Sequence, residues 1–143
     1  SVSVDGDTLG RIGAGLVVLL GISSSDDASD IDYIVNKTVN LRIFPDDQGR
    51  FDRSALDTSS ELLVISQFTL YGNTRKGRRP SFTEAAPTEK ADAMFSEALD
   101  RFRASGLKIE TGKFQAHMLV EISNDGPVTI MLDSSDRDRP RQG

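Results

Sequence analysis

Glu61-Leu62-Leu63-Val64-Ile65-Ser66-Gln67-Phe68-Thr69-Leu70 is the stretch from which the fold is read. Its apolar run, Leu62 to Ile65, is too short for a buried helix and ends in β-branched residues. It reads as the central strand, over Glu61 to Phe68. Working outward, Gly15 to Ile22 is a second apolar run, with glycines at Gly13 and Gly15, and reads as another buried strand. Ser1 to Val4 alternates, Asp5-Gly6 is a hairpin signal, and a strand is predicted over Thr8 to Ile12.

Between the two buried runs, Ser23 to Asp30 is polar and ends in residues that cap helices. Ile31, Ile34, Val35, Thr38 and Val39 then recur at helical spacing, which predicts a helix over residues 30–40. Arg42 to Phe44 reads as a short strand. Pro45 to Gly49 is a turn back into Arg50-Phe51, and 56–61 is a connection. Downstream of the opening stretch, residues 72–87 are rich in Gly, Pro and basic side chains and read as a functional loop. Ala91, Met94, Phe95, Ala98, Leu99 and Phe102 form one helical stripe, with Thr88 as the expected N-cap and Gly106 as the stop. Strands are predicted over 107–110, 116–123 and 128–132. From Ser134 the chain is charged and without pattern, a disordered tail over 134–143. The sum is a single domain over 1–133 of α+β class, a sheet or barrel with two helices packed on it.

The chain has 143 residues, no cysteine and a single histidine. Disulfides, thiolate catalysis, cysteine–metal sites and multi-histidine metal sites are therefore excluded, and no cofactor is expected. No run approaches the roughly 18 apolar residues of a membrane span and no secretory signal is visible, so a soluble cytoplasmic protein without a membrane partner is the expectation. A net charge of −5 argues against coating long nucleic acid. It leaves room for gripping one RNA end through a local basic patch, and Arg75, Lys76, Arg78 and Arg79 supply one.

Late in the chain lies Asn124-Asp125-Gly126-Pro127-Val128-Thr129. This is strong turn chemistry, and the Gly126–Pro127 bond is read either as a trans hairpin turn or as a cis bond. A cis bond would point two successive carbonyls to one side on a stiff backbone, a polar probe with no flexible side chain.

A conventional hydrolase needs a base beside its nucleophile. Ser66 is a possible nucleophile, but His117 alternates with core residues and reads as a strand-face histidine. Neither Ser66 nor Thr69 lies in a Gly-x-Ser-x-Gly elbow. An activated ester, however, can be hydrolysed by positioning and by backbone N–H groups at the oxyanion, and the end of the strand at Ser66 to Leu70 can supply them.

Ser66-Gln67-x-x-Leu70 followed by Asn124-x-Gly126-Pro127-Val128-Thr129 resembles the signature of the D-aminoacyl-tRNA deacylases. The resemblance extends to Gly13-x-Gly15-Leu16-Val17-Val18-Leu19-Leu20-Gly21, Asn40-Leu41-Arg42-Ile43-Phe44 and Lys76-Gly77-Arg78-Arg79-Pro80-Ser81-Phe82, in the family's order, and covers residues 1–133. It implies a β-barrel-like domain found as a homodimer, and an ester hydrolase that proofreads chirality in translation. Members of the family carry a further strand and a basic residue ahead of the point where this chain begins, so a truncated first strand is expected.

The resemblance also assigns roles. Ser66, Gln67 and Phe68 line the pocket for the terminal adenosine and its ester, and Met118 is a further candidate for substrate contact. Thr69 acts in catalysis or in positioning. Gly126 and Pro127 are cis and reach across the dimer interface into the other subunit's site, where they leave no room for an L side chain. Such a rigid block discriminates where hydrophobic fit does not. Glycine has no side chain to block, so glycyl-tRNA, including that mischarged on tRNA-Ala, is an expected substrate. Arg75, Lys76, Arg78 and Arg79 are expected to hold phosphates of the aminoacyl-tRNA acceptor end. A non-catalytic RNA-end-binding module and a serine esterase using Ser66 are the rival readings.

Overall fold

The computed structural model describes residues 1–141. In chain order the elements are β1 (Val2–Val4), β2 (Asp7–Gly10), β3 (Gly15–Leu20), α1 (Ala28–Asn40), β4 (Phe44–Pro45), β5 (Phe51–Arg53), α2 (Ala55–Thr58), β6 (Glu61–Ser66), α3 (Thr88–Ala104), β7 (Ile109–Thr111) and β8 (Leu119–Val120). Two 3-10 turns, Phe68–Tyr71 and Ser134–Asp138, complete them.

β6 is the centre. It pairs in parallel with β3, Gly15 opposite Glu61 through Leu20 opposite Ser66, and in parallel with β7, Leu62 opposite Ile109 through Val64 opposite Thr111. Both faces of this strand are covered, which is what a continuous apolar run requires. Leu62 and Val64 point into a core built with Leu20, Ile31, Val35 and the α3 stripe, including Phe95 and Phe102. Leu63 and Ile65 point the other way, against Val2, Ile12, Val17, Met118 and Val120. Leu62, Leu63 and Val64 are all fully buried. The molecule is thus layered: helices, then the parallel sheet, then the antiparallel sheet β2-β1-β8.

Local chemistry places the boundaries. Asp5 and Gly6 take positive φ and join β1 to β2, with Val4 opposite Asp7. Asp27 caps α1 through its Oδ1, which accepts from the Ser29 amide at 2.9 Å, while the Asp30 carboxylate accepts from the Asp27 amide at 2.8 Å. At Gly15, β3 runs so close to β6 that a Cβ there would lie 1.8 Å from the Glu61 carbonyl oxygen. Gly106, at φ +85°, stops α3 as expected.

Several expectations need correction. The described residues form three separate sheets rather than a closed barrel. The central strand ends at Ser66, not Phe68, because Gln67 (φ −140°, ψ 81°) leaves the ladder. Thr88 is the first helical residue of α3, not its cap; Pro87 holds the cap position and makes no side-chain bond. The connection at 56–61 contains α2, capped by a reciprocal Ser54–Asp57 pair. Of the strand expected over 116–123 only Leu119–Val120 forms, and 128–132 forms none. The physical reason is that a strand needs a neighbouring edge. Past the bond from the Glu121 amide to the Ser1 carbonyl (2.9 Å), the described chain offers residues 122–132 no such edge.

Within the segment expected to be a tail from Ser134, Ser134–Asp138 form a 3-10 turn set against α1 by Arg137, which pairs with Asp30 at 3.0 Å and donates to Ser29 Oγ at 3.1 Å. Residues 142 and 143 lie outside the described residues.

Candidate active site

The site grows from the end of β6. Gln67 donates its amide to the Leu20 carbonyl at 2.8 Å, which ties the strand end to β3 before the chain leaves the sheet. A 3-10 turn follows. The Leu70 amide reaches the Gln67 carbonyl at 3.3 Å, and the Gly72 amide reaches that of Thr69 at 3.0 Å. The first amides of such a turn have no partner within it. Those of Phe68 and Thr69 make no hydrogen bond among the described residues. Gln67 Nε2 donates to Thr69 Oγ1, so the two side chains act as one unit. Thr69 is exposed and Ser66 and Gln67 are half-buried.

Ser66 borders a narrow crevice with no room for a water molecule, whose other walls are Phe95, Thr111, Gly112, Lys113, Phe114 and Met118. Met118 and Ser66, both candidates from the sequence, are brought together here. Met118 packs over Gly112, where a Cβ would lie 2.4 Å from its sulfur. Thr111 donates its hydroxyl to the Val64 carbonyl at 2.7 Å and so fixes the crevice wall to the central strand. Neither His117 nor any carboxylate lines this crevice. Ser66 therefore has no imidazole or carboxylate base beside it, and Lys113 is the one basic side chain in the lining.

Phe68 points outward from the turn and meets Phe82 edge to face, with ring centroids 5.1 Å apart at 69°. Phe82 is a residue that the sequence reading did not assign to the site, although it closes the quoted stretch Lys76–Phe82. The basic loop lies just before it. Asn73 and Ser81 form the base of that loop through two backbone bonds of 2.7 and 2.9 Å, and Asn73 Oδ1 accepts from the Arg75 amide at 2.9 Å. Arg75, Lys76, Arg78 and Arg79 are all exposed, and none has a carboxylate partner among the described residues.

The Gly126–Pro127 bond is cis. Asn124 clamps the turn around it: its Oδ1 accepts from the Val128 amide at 2.9 Å and its Nδ2 donates to Thr129 Oγ1 at 3.1 Å. Gly126 has φ +143°, and a Cβ on it would lie 2.9 Å from Val128 Cγ2. The dipeptide is exposed, does not line the crevice and makes no hydrogen bond to residues 66–70 within its own chain.

At the end of the turn, Tyr71 is pushed up to about 12 by burial, with Asp26, Asp133, Asp30 and Glu84 adding to the effect, so its hydroxyl stays neutral. Asp26 is raised from its ordinary value, chiefly by burial; its bond from the Ser23 amide at 2.7 Å works against that rise. Sequence periodicity carries no trace of this cluster, because its members come from four separate segments. Among the described residues no group of three or more His, Asp or Glu could hold a metal ion.

Comparison with known proteins agrees with this geometry. The family model described as D-Tyr-tRNA(Tyr) deacylase matches residues 1–133. A D-aminoacyl-tRNA deacylase of Dehalococcoides mccartyi (strain ATCC BAA-2266 / KCTC 15142 / 195) is 56% identical over 99% of this chain and 93% of its own length. One from Clostridium botulinum (strain Eklund 17B / Type B) is 58% identical over 94% of this chain and 91% of its own. Among solved structures, a c-Myc DNA Unwinding Element Binding Protein superposes with a TM-score of 0.87 at 43% identity, covering 93% of this chain and 91% of that one. No helix among the described residues is long and apolar enough to cross a membrane. With the motif strand, its terminal turn and the Gly-Pro loop all in place, the chain belongs to the D-Tyr-tRNA(Tyr) deacylase family.

Proposed function

We propose that the chain hydrolyses the ester bond of D-aminoacyl-tRNA at the turn after β6, releasing D-amino acid and free tRNA. The observation that carries this reading is the pair of unpartnered amides of Phe68 and Thr69 in the turn that follows the buried residues Leu62 to Ile65, where Gln67 Nε2 also holds Thr69 Oγ1. Two fixed N–H donors suit the oxyanion of an ester under attack by water. The substrate is an activated ester, so no nucleophilic side chain is required. No histidine or carboxylate lines the crevice that Ser66 borders. Gln67 orients Thr69, and Thr69 positions the attacking water or the ester.

In the same reading, two copies of the chain associate and each lends the Gly126–Pro127 turn to the other's site. Support comes from the exposure of this turn and of Leu119, Ile122, Ile130 and Met131, which are 51–89% exposed. A second copy would cover this apolar strip, give residues 122–132 the edge they lack and bring the sheets toward a barrel-like closure. Carbonyls of the turn would meet the substrate's α-amino group and exclude an L side chain. Glycyl-tRNA, with no side chain to exclude, would pass. The cytoplasm, where aminoacyl-tRNA is found, is the proposed location.

The test is hydrolysis of D-tyrosyl-tRNA beside L-tyrosyl-tRNA, with a chelator present. Loss of the D ester alone supports both the reaction and the gate. Loss of both esters overturns the gate, and loss of neither overturns the enzyme.

A further inference from the structure

Phe68 and Phe82 form the one aromatic contact of the described residues that lies on the surface; the other, Phe95 with Phe114, is part of the core. Phe68 is 56% exposed and Phe82 37%. Nothing in the folded chain requires these two rings to meet in the open. Their placement is nonetheless fixed. Phe82 lies over Gly72, where a Cβ would be 3.2 Å from its ring and 3.0 Å from the Thr69 carbonyl oxygen. One backbone position therefore floors both the aromatic pair and the candidate catalytic turn. Beyond Phe82 stands the Asn73–Ser81 loop with its cations free of carboxylate partners.

The Phe68–Phe82 contact joins the candidate ester turn to the base of the Asn73–Ser81 loop that carries the cations. Outward from an esterified 3′ end an unpaired polynucleotide alternates bases with phosphates, so it asks for ring faces and cations side by side. We infer that Phe68 and Phe82 are a stacking platform for the base of the nucleotide preceding the esterified one, with the 75–79 loop taking the flanking phosphates. This rests on the deacylase reading and adds a binding position to it. An edge-to-face pair leaves ring faces open, and every base has a face that stacks, so the platform holds RNA without reading its sequence. That suits an enzyme whose substrates differ in sequence. The cations decide between occupants: an apolar protein surface gains nothing from four unpaired positive charges beside it, whereas a polyanion does.

The experiment uses a six-nucleotide single-stranded RNA ending in C-C-A, with 2-aminopurine in place of the penultimate base. Binding to the wild-type chain is expected to quench the fluorophore. Phe82→Leu abolishes the quench and weakens binding about tenfold, Phe82→Trp restores both, and an RNA abasic at that position binds the wild type as weakly as the intact RNA binds Phe82→Leu. Phe68→Leu, which removes a ring already more than half exposed, gives the same loss and serves if Phe82→Leu does not fold. Equal binding and quench by wild type and leucine variants overturns the platform, as does no binding by the wild type, or conversion of a dimer to monomers by these substitutions. Hydrolysis of D-tyrosyl-tRNA by the wild type, run in parallel, separates this failure from that of the deacylase: if hydrolysis persists the platform alone is lost.

Discussion

At Thr69 the choice is between a nucleophile and a positioning group, and magnitudes separate the two. Loss of a true nucleophile typically costs on the order of 10⁶ in kcat. On the proposal that backbone amides, which no side-chain change removes, hold the oxyanion, Thr69→Ala is expected to lower kcat for D-tyrosyl-tRNA only about tenfold, with Thr69→Ser close to wild type. Single-turnover kinetics checks this. Asp26 gives a second prediction. Its carboxyl is raised above 3.8 in the folded chain, mainly by burial, so folding is opposed by its charge at neutral pH and relieved as pH falls through the raised value. Asp26→Asn is expected to raise Tm at pH 7, with the gain fading toward pH 3.8, measured by thermal melts across pH. Asp27 and Asp57 run the other way. Both are lowered, Asp27 by bonds from Ser29 and Asp57 by bonds from Ser54, so their contribution is present above 3.8 and disappears as pH drops through the depressed values. Of these residues, Ser66, Gln67 and Thr69 were singled out in the sequence by the resemblance of Ser66-Gln67-x-x-Leu70 to the family's motif. Phe82 and Asp26 were not, because their roles depend on which segments the fold brings beside them.

The elements themselves were read where a periodic pattern fixed them. β6, β3, α1 and α3 were all legible from runs of apolar residues at strand or helix spacing. α2 was missed because four residues show no period, and only its Ser54–Asp57 cap betrays it. The strands expected at 116–123 and 128–132 failed for another reason: alternation marks a chain that can be a strand, and pairing needs an edge to accept it. The tightest requirement falls on the β3–β6 pair. Gly15→Ala puts a methyl 1.8 Å from the Glu61 carbonyl oxygen, a backbone atom that cannot swing aside. The expected outcome is a loss of about 3 kcal/mol or more, since the parallel pair must part to make room. Urea unfolding of the variant checks it, with a lowered midpoint as the expected result.

For the whole molecule, two surface features stand out. In a chain of net charge −5 the 75–79 loop gathers four exposed cations without a carboxylate partner among the described residues, and Leu119, Ile122, Ile130 and Met131 are open apolar side chains close together in sequence. The first favours a polyanion end, the second another copy of the chain. Ile130→Asp, at a residue 51% exposed, is expected to leave the fold of one chain intact and to shift sedimentation from dimer to monomer. The same variant is expected to narrow the preference for D over L esters about tenfold or more, because the gate would arrive from the partner. A monomeric wild type, or a variant with unchanged preference, would count against the shared site.

The end of β6 has one more consequence. Val64 and Ile65 are sealed between two layers, while the amides of Phe68 and Thr69, in the exposed turn just beyond the strand, have no acceptor among the described residues. Slow and fast hydrogen exchange are thus expected within a few residues of each other. Deuterium uptake across 64–69 should therefore change slope abruptly at Gln67. A bound ester analogue should slow the last two amides and leave the first two untouched. The turn is thus its own isotopic reporter, and occupancy of the site can be followed without label, cofactor or chromophore.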